Sequence, residues 1–365
     1  MQYRTLGRTG YKVSQLGFGA MRLPMKGDKV DRDLAIPMIH KAFEAGLNYI
    51  DSAVGYLNGD SQVAVGEALK GWREKIVVST KNPYFGEDEK AWRKNLDDSL
   101  SRLQVSYIDI YNTHGINWKT WEESIEPRVS KWLKKAKDEG LIRHICTSFH
   151  DNNDALRKLV DTGFYESVTL QYNMLDPQLE DAIAYAHEKG MGVTVMGPVG
   201  GGRLGASSQV LETLVPGIKR VPELALKFVL SNPNISIALS GMSTMQHVEE
   251  NLKVASEPIT FTTEDRKAVK EHLEKLWKMS DLYCSGCWYC MPCPSGVEIP
   301  TMFRIYNEAR VYGMWDHAKG TYSWMKDQKK TPESCVECEK CMEKCPQKLE
   351  IPKRLKEVKE ALAAK

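Results

Sequence analysis

The first 283 residues of this 365-residue chain contain a single cysteine, Cys146, although the whole chain has nine. The chain also lacks an excess of charge, because 50 Lys and Arg side chains stand against 48 Asp and Glu, leaving a formal net charge of +2. No run of one sign is long enough to form a surface for a polyanion. We therefore expect no nucleic-acid partner.

Long apolar runs are missing as well. A membrane-spanning helix needs about 18 consecutive apolar residues, and the longest uncharged stretches, such as Ser231 to Gln246, contain Pro, Ser and Asn. The opening residues, MQYRTLGRTGYK, have no apolar core of the kind a signal peptide needs. These absences predict a cytoplasmic protein without membrane association.

Apart from the cysteine-rich end, the chain alternates Val- and Ile-rich runs with longer segments of helical periodicity, such as Glu122 to Glu139. This alternation is typical of parallel strands joined by helices. Eight candidate strands are Leu16 to Ala20, Leu47 to Ile50, Lys75 to Ser79, Tyr107 to Asn112, Ile142 to Thr147, Ser167 to Leu170, Gly192 to Val195 and Ser236 to Leu239. Eight such units predict an α/β fold, a (β/α)8 TIM barrel over residues 1–280, preceded by a hairpin from Tyr3 to Leu16.

A doubly wound nucleotide-binding sheet is the alternative, since it shows the same alternation. Its glycine signature is missing, because Gly17-Phe-Gly-Ala-Met-Arg22 lacks the third small residue in register. Gly197-Pro-Val-Gly-Gly-Gly-Arg203 likewise lacks the Lys-Ser/Thr of a phosphate loop. The sequence favours the barrel.

Catalytic groups of such barrels lie at the carboxyl ends of the strands. The polar residues that follow the predicted strands there are Asp51, Tyr56, Lys81, His114, Ser148 and Gln171. Singly, each has an ordinary structural explanation, such as a helix cap for Asp51 or a core histidine for His114. Together, an aspartate, a tyrosine, a lysine and a histidine from three successive strand ends indicate one site for acid–base catalysis.

The chemistry of that site centres on the tyrosine. A free phenol has a pKa near 10, and we expect a nearby ammonium to stabilise its anion and lower that pKa. Lys81 can supply the ammonium, Asp51 can hold it in place, and His114 can orient a carbonyl toward Tyr56. A carbonyl that receives a proton also needs a hydride, so we expect a bound cofactor and a small carbonyl or alcohol substrate.

This constellation resembles the aldo-keto reductase family over residues 1 to about 280. The similarity is carried by NYIDSAVGY, VVSTKNP, DIYNTHG, LQYN, MGPVGGG and LSGMSTMQHVEENL. The resemblance implies that Asp51, Tyr56, Lys81 and His114 form a catalytic tetrad with Tyr56 as general acid. It further implies a nicotinamide cofactor bound by Ser148, Gln171, Met196, Gly197, Pro198, Gly241, Ser243, His247, Glu250 and Asn251.

Four positions depart from the family pattern. Phe149 stands where an Asn often contacts the carboxamide, and Met196 stands where an aromatic ring often stacks on the nicotinamide. Gly241 and His247 occupy positions at which many members aim Lys and Arg at the extra phosphate of NADP. We expect NADP or NAD, with a slight preference for NADP.

The remaining eight cysteines lie in two runs within residues 281–365. Cys284, Cys287, Cys290 and Cys293 precede a proline, and Cys335, Cys338, Cys341 and Cys345 do the same. The second run has the spacing of bacterial ferredoxins, in which the fourth cysteine ligates the other cluster. We therefore predict two 4Fe-4S clusters, one on Cys284, Cys287, Cys290 and Cys345, the other on Cys335, Cys338, Cys341 and Cys293. A zinc ribbon does not explain a run of four cysteines followed by proline, a pattern that occurs here twice. Disulfides do not suit the reducing compartment expected for this protein.

The two runs lead into matching segments, CPSGVEIP and CPQKLEIP, whose last residues, Pro300 and Pro352, can each begin a helix. The module resembles the helical two-cluster ferredoxins. It predicts a redox partner protein and electron transfer. A flavin could join two-electron hydride chemistry to one-electron clusters, but no fingerprint supports one. Two alternatives stay open: the barrel only senses or relays, without turning over a carbonyl, or the clusters are structural.

Overall fold

The computed structural model describes residues 1–218, 220–278, 284, 286 and 288–363. They form two compact units. The first consists of Met1–Gly200 and Ala225–Thr263, and the second of Gly201–Leu224 and Glu264–Lys365. The second unit thus includes a segment from well before residue 280, in addition to the cysteine-rich region.

The first unit contains the predicted (β/α)8 barrel. Its strands are β1 Leu16–Gly19, β2 Tyr49–Asp51, β3 Val77–Asn82, β4 Ile108–Ile116, β5 Ile142–Phe149, β6 Ser167–Gln171, β7 Gly192–Met196 and β8 Ile237–Ser240. All pair in parallel with their neighbours in chain order, and β8 pairs with β1, so the barrel is closed. Parallel strands covered by helices are buried on both faces, which explains their Val- and Ile-rich composition.

Several strands extend further than the sequence predicts. The β3–β4 ladder continues through the pairs Lys81 with Asn112 and Asn82 with Thr113. Asp51, Lys81, His114, Ser148 and Gln171 therefore lie inside strands, and the expectation that these five follow the strands is wrong. The apolar pattern ends before the hydrogen-bonded ladder does.

The barrel helices are Arg32–Glu44, Asp60–Ala68, Glu89–Leu103, Ser130–Asp138, Asn153–Asp161, Glu180–Glu188, Val221–Leu230 and Met245–Ser256. One predicted helix, Glu122 to Glu139, is wrong in its first half, where Trp121–Val129 forms a π-helix. Pro127 lies within it and has no N–H for an α-helical bond, which a wider turn accommodates. Among the described helices, none has the length and apolarity needed to cross a bilayer.

The predicted N-terminal hairpin consists of strands Tyr3–Thr5 and Lys12–Ser14. Leu6 and Val13 are fully buried in a cluster with side chains of the barrel strands, namely Tyr49, Val77, Ile110, Cys146, Ile237 and Leu239. The backbone N–H of Arg8 donates to Gly190 O at 2.8 Å, just before β7. The hairpin thus covers the amino-terminal end of the barrel and leaves the opposite end for the site.

The second unit is mainly helical, as predicted. Its helices are Thr263–Lys278, Ile299–Tyr312, Trp315–Asp327, Lys340–Glu343 and Ile351–Leu362, with a short helix Gln209–Glu212 in the earlier segment. Pro300 and Pro352 lie in the first turns of their helices, which confirms the role expected for them. Arg203 forms an ion pair with the buried Glu308 at 2.6 Å, and this pair ties the segment Gly201–Leu224 to the unit.

Replacing Leu6 with Ala should destabilise the barrel, because a fully buried leucine leaves a cavity when truncated. We expect a loss of about 2–5 kcal/mol in the free energy of unfolding, measured by urea denaturation. Leu34 is 55% exposed, so the matched change Leu34→Ala should cost less than about 0.5 kcal/mol. Equal losses in the two variants would show that the hairpin does not close the barrel.

Candidate functional site

The carboxyl end of the barrel carries a buried ion pair. Asp51 is the last residue of β2 and Lys81 the fifth of β3, and their side chains are 4% and 2% exposed. The Lys81 ammonium donates to Asp51 Oδ2, and also to Ser52 O at 2.9 Å. Burial alone would lower the pKa of Lys81, but the Asp51 and Tyr56 side chains outweigh it and raise that pKa. Lys81 is therefore a cation at neutral pH.

Tyr56 lies directly beside this cation. Lys81 Nζ is 4.7 Å from the centroid of the Tyr56 ring. The Tyr56 ring also meets the imidazole of His114 edge to face, with 5.8 Å between ring centroids and planes at 80°. The structure thus brings together all four residues of the predicted tetrad.

Burial raises the pKa of Tyr56 above its ordinary value, and the positive charge of Lys81 opposes this effect. The net direction differs from our expectation that the ammonium would leave an acidified phenol. Burial of the half-buried Tyr56 removes water that would stabilise the phenolate, and this effect on the pKa is larger than the opposite effect of Lys81. Tyr56 is therefore fully protonated at neutral pH, and Lys81 reduces the cost of releasing that proton.

His114 has the opposite shift. Burial, with the charges of Lys81 and His150, lowers the pKa of His114 to about 4. At pH 7 the imidazole is neutral, so it has one N–H to donate and no excess proton to give up. Of the two groups, only Tyr56 can transfer a proton to a substrate at that pH.

A strained turn carries Tyr56. Leu57 and Asn58 have positive φ values of 51° and 58°, a region that costs a branched side chain free energy. Asp60, which begins the next helix, holds the turn by accepting from Val30 N at 2.7 Å and from Arg32. Arg102 also donates to Val54 O at 3.3 Å. The strain is maintained by these contacts and fixes the position of the phenol.

The residues expected to bind nicotinamide lie at the ends of β5, β6 and β7. Ser148 is buried, and its Oγ accepts from Gly115 N at 2.7 Å, which leaves its own O–H to donate. A Cβ at Gly197 would be 2.6 Å from Gln171 Oε1, so the Gln171 amide lies across the Gly197 backbone. Met196 is half-buried and Pro198 is buried. This donor and acceptor set fits a carboxamide.

The residues expected at the other end of the cofactor cluster around the start of the helix Met245–Ser256. Thr244 caps that helix by accepting from His247 N at 3.2 Å, and Asn251 Nδ2 donates to Ser240 Oγ at 2.9 Å. Ser243 N donates to His247 Nδ1 at 3.4 Å, while Glu250 accepts from Gln246 Nε2 at 2.9 Å. Helix amino termini with free N–H groups suit phosphate.

Sequence reasoning missed Arg22. It ends the short helix Ala20–Arg22 after β1, and a Cβ at Gly241 would lie 3.1 Å from Arg22 Cδ. The Arg22 side chain therefore runs along Gly241. Its position in the chain does not indicate that it lies near Gly241, because β1 and the loop after β8 come together only when the barrel closes.

Sequence reasoning also missed Ser79 and Asn112, which lie beneath the tetrad. Each precedes a tetrad residue by two positions in the same strand, Ser79 before Lys81 and Asn112 before His114. Residues two apart in a strand point to the same face. The signal was present, but it required knowing that the strands continue through Lys81 and His114.

In the second unit, the cysteines line two cavities. The first, the Cys335 cavity, is lined by Cys293, Cys335, Cys338 and Cys341. Burial, and the three neighbouring thiols, raise the pKa of Cys341. All four members of one predicted ligand set therefore surround one space, including Cys293 from the other run.

The second cavity, the Cys345 cavity, is lined by Cys284, Cys290 and Cys345, together with Trp288. Cys287, the fourth predicted ligand, lies outside the described residues. The described thiols again include one from the other run, since Cys345 joins two cysteines of the first. Both cavities fit the crossed ligand sets that the spacing predicts.

Within the described ranges, no three His, Cys, Asp or Glu side chains converge closely enough to hold one metal ion. The thiols are also free of disulfides at every described cysteine. A single zinc would need four thiolates about 2.3 Å from one point, whereas these thiols surround a larger space. The donor set suits a cluster of several irons.

A closed eight-stranded barrel with a buried Lys–Asp pair beside a tyrosine, joined to a module with two thiol-lined cavities, defines an oxidoreductase with an iron–sulfur domain. Comparison with protein families agrees. The aldo/keto reductase family model matches residues 15–274, and a 4Fe-4S dicluster domain matches residues 283–350. The chain belongs to the aldo/keto reductase family.

Individual relatives span most of the barrel. L-galactose dehydrogenase of Arabidopsis thaliana is 30% identical over 284 residues, covering 70% of this chain and 89% of that protein. The NADH-specific methylglyoxal reductase of Escherichia coli (strain K12) is 28% identical over 325 residues, covering 74% and 98%. Among solved structures, the holo form of aldo-keto reductase AKR11C1 from Bacillus halodurans has a TM-score of 0.66 at 28% identity, covering 74% of this chain and 96% of that one.

The crossed ligand sets can be tested by counting iron. Two 4Fe-4S clusters give about eight irons per chain. The double variant Cys293→Ala, Cys341→Ala removes two thiols of one cavity and should retain about four irons. The variant Cys290→Ala, Cys341→Ala removes one thiol from each cavity and should lose nearly all iron.

The measurement is iron analysis of protein purified anaerobically, with Cys146→Ser as a control that retains all iron, because Cys146 lies in β5. If both double variants lose the same amount, the crossed assignment is wrong.

Proposed function

We propose that the protein is an NAD(P)H-dependent carbonyl reductase in which Tyr56 donates the proton and the iron–sulfur module exchanges electrons with a partner. The observation that carries this proposal is the contact of Lys81 with both Asp51 and the Tyr56 ring. A bare phenol donates poorly at neutral pH, and a fixed ammonium stabilises the charge that develops as the proton leaves.

The chain's own residues divide the work. His114, neutral at pH 7, donates a hydrogen bond to the carbonyl oxygen and turns it toward the phenol. Tyr56 gives its proton to that oxygen, while Lys81 compensates the developing phenolate. Asp51 keeps Lys81 charged and in place. A bound nicotinamide supplies the hydride to the carbonyl carbon.

Ser148 and Gln171 hold the carboxamide of the nicotinamide in this proposal, and the helix Met245–Ser256 receives the phosphate end. Arg22 supports the slight preference for NADP, because its side chain lies along Gly241 where the phosphate end is expected. The Escherichia coli relative is NADH-specific by name, so similarity to relatives does not decide the preference. A comparison of the affinities for NADPH and NADH tests it.

Two 4Fe-4S clusters, one in each thiol-lined cavity, give the module its electron-transfer role. Hydride transfer moves two electrons together, whereas each cluster passes one. The clusters therefore serve a redox partner protein that accepts or supplies single electrons.

Replacing Tyr56 with Phe tests the proposal, because it removes one hydroxyl and preserves the ring contacts. Carbonyl-dependent oxidation of NAD(P)H should fall at least about a hundred-fold, and the visible absorbance of the clusters should be unchanged. Tyr3→Phe alters a 47% exposed tyrosine at the other end of the barrel and should have full activity. Full turnover in Tyr56→Phe would overturn the assignment.

A further inference from the structure

Beneath the Lys81–Asp51 pair lies a second polar layer of the barrel. Ser79 Oγ donates to Asp51 Oδ1 at 2.8 Å, while the other carboxylate oxygen receives the Lys81 ammonium. Ser79 is 1% exposed, so water does not compete for this bond. Both oxygens of Asp51 are thus occupied, each by a residue of β3.

Asn112 fixes the direction of that hydrogen bond. Its Nδ2 donates to Ser79 Oγ at 3.1 Å and to Thr80 O at 3.1 Å. The carbonyl of Thr80 can only accept, so the amide orientation is determined. Because Ser79 Oγ accepts from Asn112, its single hydrogen is available for Asp51. Asn112 therefore donates to Ser79 and Ser79 donates to Asp51, which also accepts from Lys81, so these hydrogen bonds connect β4, β3 and β2.

We propose that Ser79 is a positioning residue for the reaction: supported by Asn112, it holds the Asp51 carboxylate in the orientation that keeps Lys81 beside Tyr56. The effect of Ser79 on catalysis rests on the proposed function. Its effect on the orientation of Asp51 rests on geometry alone. Without Ser79, Asp51 Oδ1 would be a buried acceptor with no donor, and the carboxylate could rotate about its terminal bond.

A serine that serves only the packing of the barrel would behave differently. Its loss would lower the free energy of unfolding without changing the titration of Lys81. Positioning instead predicts that Lys81, once its partner rotates, loses its proton at lower pH, since pairing with Asp51 counteracts the burial that lowers the pKa of Lys81. The charged and titratable groups facing Lys81 are Asp51, Tyr56 and His114.

The direct test is NMR titration of the Lys81 side chain in protein labelled with carbon-13 at lysine Cε, with the signal assigned by Lys81→Arg. In Ser79→Ala the pKa of Lys81 should be lower than in the wild type. Ser79→Thr keeps the hydroxyl and should restore it. Ser167→Ala removes another buried hydroxyl, at the opposite end of β6 from Gln171, and should leave Lys81 unchanged.

Kinetics supply the second readout. In Ser79→Ala, kcat should fall about ten-fold, as expected for losing a hydrogen bond to a charged group, while KM for NAD(P)H stays the same. The alkaline limb of the pH profile should move to lower pH. An unchanged Lys81 titration in Ser79→Ala overturns the inference. Full activity of Tyr56→Phe would instead remove the proposed function, and the NMR result would still decide the role of Ser79.

Discussion

A buried ammonium that needs a partner is the constraint on which the barrel site depends. Lys81 is 2% exposed, and an unpaired charge at such a place is too costly to persist. Asp51 supplies the compensating charge and Ser52 O a further acceptor. The pair fixes the relative positions of β2 and β3 at their carboxyl ends. Burial is the largest cause of the pKa shifts of Tyr56 and His114, and the charge of Lys81 acts on both groups: it favours ionisation of the phenol and disfavours protonation of the imidazole.

In the second unit, too, side chains from separate parts of the chain are brought together, and here they are thiols. Each thiol-lined cavity draws one cysteine from the other run, Cys293 in one case and Cys345 in the other. Neither run can complete its ligand set unless both are folded together. Ile299 lines both cavities, so the two sets of thiols are neighbours in the fold.

The barrel and the cysteine-rich module could be predicted from the sequence because each depends on a pattern of residues that are close together in the chain. Eight alternating units predicted the barrel, and the Cys-x-x-Cys spacing predicted crossed ligand sets that the two cavities fit. The parts that were missed depend on packing. Ser79 and Asn112 acquire their roles because β3 and β4 extend past their apolar runs. The raised pKa of Tyr56 reflects the balance of burial against the charge of Lys81, which no motif records.

The central claim is that the Lys81 charge favours ionisation of the Tyr56 phenol. The most direct measurement is NMR titration of Tyr56, labelled with carbon-13 at tyrosine Cζ, in the wild type, in Lys81→Met and in the variant Asp51→Asn, Lys81→Met, which leaves no stranded carboxylate. Burial would then act on Tyr56 without an opposing cation, so the pKa of Tyr56 should rise above its wild-type value in both variants. A pKa of Tyr56 that stays unchanged, or falls, when the ammonium is removed would contradict the account.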